Sequence, residues 1–108
     1  MQKLIQSFID ATNAFDVETA LSLFASDAVI DDVSVGEKFV DSAGIRGYLK
    51  QFFVGYNTVS KILSVTMVSD VRALVRLDFT GDFGHETGIL DMSINEEGFI
   101  EAINADLE

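Results

Sequence analysis

The chain has 108 residues, 48% of them hydrophobic and nine of them phenylalanine, which supplies one core and leaves no room for a second domain, so residues 1–108 are read as a single domain. Eighteen acidic residues against seven basic ones give a formal charge of −11, which repels phosphate backbones and anionic headgroups and argues against nucleic acid or membrane surfaces as partners. The absence of cysteine excludes disulfides, thiolate catalysis and cysteine zinc sites.

The first stretch, MQKLIQSFIDATNAFD, interrupts its apolar residues with Gln6, Ser7 and Asp10, unlike a signal peptide or a membrane span, and a soluble, cytoplasmic protein is expected. Leu4, Ile5, Phe8, Ile9, Thr12 and Phe15 recur at helical spacing and predict an amphipathic helix over residues 3–15. Asp16 offers an N-cap for a second helix that turns Ala20, Leu21 and Phe24 inward and ends in Leu23-Phe24-Ala25. Ser26-Asp27 then turns the chain, and Ala28-Val29-Ile30 carries two carboxylates, Asp31 and Asp32, to the end of a strand. Strand side chains alternate, so Asp32 shares a face with Ile30 and Ala28 beside the core, whereas Asp31 goes with Val29 and Val33 toward solvent. Residues 35–40 predict a short extended return, and Asp41-Ser42 supplies the cap of a third helix from Ala43 to Gly55. Its stripe is Ile45, Tyr48, Leu49, Phe52 and Tyr56, flanked by Phe53.

From Thr58 the period changes from 3.6 to 2, and four strands are predicted over residues 58–69, 71–79, 85–95 and 99–106. The turns between them are short, so neighbours are antiparallel. Val71, Ala73, Val75, Leu77 and Phe79 form the core face of one strand, and Leu90, Met92 and Ile94 that of the next, with Asp91 directed away. Three helices must bury their stripes on one face of such a sheet, which predicts an α+β fold, a strongly curved mixed or antiparallel sheet forming a cone or half-barrel. Leu74, Ile89 and Ile100, placed among charges on the outer face, predict a homodimer through the sheet.

The pieces Asn13-Ala14-Phe15-Asp16, Leu23-Phe24-Ala25-Ser26-Asp27-Ala28 and Ala43-Gly44-Ile45-Arg46, together with the helix, helix, strand, helix, meander order, resemble the nuclear transport factor 2-like superfamily, which includes cystatin-like cones. Within it the chain is similar to the SnoaL-like polyketide cyclase and ketosteroid isomerase branch, whose members enclose an apolar pocket between helices and sheet. The isomerases of that branch use an aspartate base at the end of the first strand, with a tyrosine and a protonated aspartic acid as oxyanion donors. The resemblance places Asp32 on the base position without a gap, Phe8 on the tyrosine position and Leu90 on that of the acid. Each missing donor is worth about 10²- to 10³-fold in rate, so steroid isomerisation of that type is not expected.

The expected site is a pocket lined by Phe8, Ile30, Tyr48, Phe52, Val75, Leu90 and Met92, binding a small hydrophobic molecule with Asp32 as polar anchor or general base for an isomerisation or cyclisation. His85, the one histidine, follows Gly84 at a hairpin and reads as an exposed turn residue. No metal ligand spacing and no cofactor motif is present, so no metal and no cofactor is expected. The alternative is a non-catalytic dimeric ligand-binding or protein-association module.

Overall fold

The computed structural model describes residues 1–108. The helices are α1 (Gln2–Asn13), α2 (Val17–Leu21) and α3 (Asp41–Tyr48), the last continued by a π-helical turn over Leu49–Val54. The strands are β1 (Phe24–Asp32), β2 (Glu37–Val40), β3 (Val59–Ser69), β4 (Arg72–Gly81), β5 (Gly84–Ile94) and β6 (Ile100–Leu107). They form one open mixed sheet in the order β2-β1-β6-β5-β4-β3, in which β1 and β6 are parallel and every other neighbouring pair is antiparallel. This is the expected cone-like α+β fold, with the meander β3 to β6 as predicted.

On α1 the helical period turns Ile5, Phe8 and Ile9 into the core, and the Phe8 ring meets Phe24 edge-on at 5.7 Å and Phe53 at 6.4 Å. Phe15, expected on the same stripe, falls past the end of α1 with φ 57 and is 40% exposed, because the left-handed turn that redirects the chain into α2 carries it outward. The Asn13 side chain clamps that corner to β3, donating to Ser60 O at 2.9 Å and accepting from Ser60 N at 2.7 Å. Asp16 caps α2 as expected, accepting from Thr19 N.

Three boundaries differ from expectation. Helix α2 stops at Leu21 and β1 starts at Phe24, so Ser26-Asp27 lie within a strand whose pairing with β6 shifts register between Phe24 and Val29. Helix α3 begins at Asp41 with no side-chain cap, Asp41 itself having φ 61. Beyond Tyr48 the helix widens into π geometry, which spends one more residue per turn than the predicted α-helix. On the sheet, Val71 is 50% exposed because it lies in the β3–β4 turn before β4 begins, whereas Ile100, expected on the outer face, is fully buried because β6 starts beneath Leu23, whose carbonyl accepts from Ile100 N.

Candidate functional site

Asp32 is the last residue of β1, 6% exposed, flanked in the sheet by Glu37 of β2 and Ala105 of β6. Two residues on, the chain turns: Gly36 N donates to Asp32 O at 2.9 Å, and Ser34 folds back to give both its N–H (3.0 Å) and its hydroxyl to Asp32 Oδ1. The Tyr48 hydroxyl donates to Oδ2 at 2.7 Å from the end of α3. Burial first, and this hydrogen bond second, push the Tyr48 hydroxyl well above the ordinary tyrosine range, so it stays a proton donor at every physiological pH. An ionised carboxylate has roughly four lone-pair sites, and the three donors leave one of them open on Oδ2.

Asp32 borders a cavity of about 370 Å³ between the helical layer and the inner face of the sheet, within the size range of small-molecule sites. Its closed end is made by Phe8, Ile30 and Ile103, all nearly inaccessible, and its open end by Tyr56, Phe83 and Leu107, each about 40% exposed. The wall between them is aromatic: Tyr48 lies 4.9 Å from Phe52, Phe52 6.2 Å from Tyr56, and Tyr56 6.2 Å from Phe83. The wide π turn is what brings adjacent Phe52 and Phe53 both to the cavity, since successive residues of a regular α-helix diverge more strongly around its axis.

Of the residues expected in the lining, Phe8, Ile30, Tyr48, Phe52 and Leu90 border this cavity together with Asp32. Val75 and Met92 do not; both are completely buried, because the cavity ends at Phe79 on β4 and Leu90 on β5 and the helices fill the space beyond. Phe8 and Leu90, which the resemblance aligns with the two isomerase oxyanion donors, face the cavity as hydrocarbon. Asp91 lies on the outer face in a bidentate pair with Arg72, 2.9 and 2.8 Å, which holds its carboxyl below the usual range. His85 also lies outside, its Nε2 2.6 Å from Asp78 Oδ1.

The cavity is also bordered by residues outside the expected lining. Ser34 was legible in the Asp-x-Ser spacing of an Asx turn, and Ile103, Ala105 and Leu107 in the alternation of β6. Phe53 lies within the π turn and Thr58 follows its Gly55 cap; Thr58 Oγ1 donates to the Phe52 carbonyl at 2.6 Å. No group of three or more His, Asp or Glu side chains is gathered in a way that could hold a metal, and no helix is long and apolar enough to cross a membrane.

Three helices over an open, curved six-stranded sheet make the cone-like α+β fold that the resemblance to the SnoaL-like proteins implies. The chain belongs to that family: the model of the SnoaL-like domain matches residues 5–102. No curated protein matches the chain significantly. Among solved structures it is similar to a candidate polyketide cyclase of Sinorhizobium meliloti, at 23% identity and TM-score 0.86, with 95% of this chain and 93% of that one covered. It is similar also to a candidate ketosteroid isomerase of Kribbella flavida, at 13% identity and TM-score 0.85, covering 98% and 76%. A third is the Mycobacterium tuberculosis protein RV0760c in complex with estradiol-17beta-hemisuccinate, at 17% identity and TM-score 0.85, covering 96% and 90%. At these identities the likeness establishes the fold.

Proposed function

We propose that this protein binds a small hydrophobic molecule in the cavity beside Asp32, with the carboxylate as its polar anchor. The observation that carries the reading is a buried carboxylate, held by three donors yet with one acceptor site unused, at the edge of an apolar cavity of about 370 Å³. Binding sites combine such apolar walls with a small number of placed polar groups. The steroid held by RV0760c, a protein of the same fold, supports a ligand of this general kind.

The enzymatic form of the reading makes Asp32 a general base that removes a proton from carbon next to a ligand carbonyl, leaving a protonated Asp32 and an enolate. A positioned base contributes about 10²- to 10⁴-fold. The Tyr48 hydroxyl is committed to Asp32, and Phe8 and Leu90 offer no donor, so oxyanion stabilisation of the isomerase kind is lacking and slow proton exchange is the expected chemistry. The test is to incubate the protein with cyclic ketones in D₂O and follow deuterium at the carbon next to the carbonyl. Exchange above buffer that disappears in Asp32→Asn supports the base; equal exchange in both proteins removes Asp32 from catalysis and leaves it an anchor.

The same reading includes a homodimer through the outer face of the sheet, supported by Leu74 and Ile89, which stay half-covered between the ion pairs of Arg72 with Asp91 and Arg76 with Glu108.

A further inference from the structure

The charges around the cavity are one-sided. Two carboxylates turn into it: Asp32, and at the open end Glu86, which is in register with the lining residue Phe79 and so shares its face. Asp106 also borders the cavity, but its register with Ile89 sends its side chain to the opposite face of the sheet. No lysine, arginine or histidine is in the lining. The three arginines are held elsewhere, by Glu18, Asp91 and Glu108, and the histidine by Asp78 on the outer face. An anion entering the cavity would meet no positive group in the walls of a protein of net charge −11. A cation would meet the opposite: a row of rings, Phe83, Tyr56, Phe52 and Tyr48, running from the exposed rim to the Asp32 carboxylate, with neighbouring centroids 4.9 to 6.2 Å apart. Cations are attracted to the faces of such rings within about 6 Å.

We propose that the cavity selects a hydrophobic cation, a primary amine or other ammonium carried on an apolar ring-bearing body, with its N–H donated to Asp32 Oδ2 and its body along the aromatic row. The proposal rests on the reading that the cavity holds a small hydrophobic molecule and adds the sign of that molecule's charge. Oδ2 receives only the Tyr48 hydroxyl and is therefore the oxygen with room for a further donor. Burying an ammonium is costly unless a charged partner accepts it, and here the partner is already in place and oriented by Ser34 and Tyr48.

Three probes that share one apolar body separate the possibilities: naphthylmethylamine, naphthylmethanol and naphthoic acid, titrated into the full chain while amide resonances of Ser34, Phe52 and Leu90 are followed. The expected result is that the amine binds at least about tenfold more tightly than the alcohol, as a buried charge partner predicts. The acid should leave these resonances unmoved. Asp32→Asn should bring the amine down to the affinity of the alcohol, and Glu86→Gln at the rim should weaken the amine by about twofold while sparing the alcohol. If the alcohol or the acid shifts the same resonances at equal or lower concentration than the amine, the charge preference is overturned while the binding reading stands. If none of the three moves them, both fall. Should Asp32→Asn fail to fold, the wild-type ratio of amine to alcohol and the Glu86→Gln result decide.

Discussion

Tyr48 ties the two halves of the site together, since it is the residue through which the helical layer touches the end of β1. Its hydroxyl and the Asp32 carboxylate are both buried and 2.7 Å apart, so removing the hydroxyl leaves Asp32 Oδ2 without its donor. Tyr48→Phe is expected to cost about 1 to 3 kcal/mol, the usual penalty of a buried unsatisfied polar group, read from urea midpoints at pH 7. The sign of the pH dependence follows from the raised ionisation of the buried phenol. The folded chain holds the proton more tightly than the unfolded chain, whose tyrosines ionise near about pH 10. The contribution of Tyr48 is therefore complete below about pH 10 and declines as pH rises above it. In Tyr48→Phe this part of the alkaline slope should vanish, so the stability difference between the two proteins should shrink between about pH 9 and pH 11; a constant difference would contradict the assignment.

At the level of elements, the cavity exists because two of them depart from regularity. The π turn after α3 sets both Phe52 and Phe53 against the space, and Gly88 on β5, between Glu86 and Leu90, makes room for the ring of the lining residue Phe79. A Cβ at Gly88 would lie 2.7 Å from Asp106 O and 2.9 Å from the Phe79 ring. The carbonyl is part of the β5–β6 ladder and cannot move without breaking it. Gly88→Ala is therefore expected to destabilise the fold by about 1 to 3 kcal/mol, the usual cost of overpacking, measured by chemical denaturation. Accommodation without loss of stability would mean that β5 and β6 are less closely apposed there. The helical period of residues 3–13 and the alternation of β4 and β5 were legible because each element has a single buried face; the π turn was not, because a stripe of aromatic residues is compatible with either helical pitch.

At the scale of the whole molecule, the outer face of the sheet carries the ion pairs of Arg72 and Arg76 around Leu74 and Ile89. If this face joins two copies, light scattering should give about twice 11.8 kDa, and the double substitution Leu74→Glu, Ile89→Glu should give the single-chain mass with an unchanged far-ultraviolet spectrum, because neither side chain is part of the buried core. A single-chain mass for the unmodified protein at high concentration would remove the dimer.

What the sequence determined by itself is the set of local periods. They place three helices before a meander and put Asp32 rather than Asp31 on the inner face. Those features are written in neighbouring residues. Only the tertiary structure decided that Tyr48 and Ser34 would share the Asp32 carboxylate, that Val75 and Met92 would lie beyond the end of the cavity, and that Glu86 would face into it while the arginines stayed outside. These depend on strand register and on the pitch of one helical turn, which arise from contacts between residues far apart in the chain and leave no trace in the spacing of any one segment.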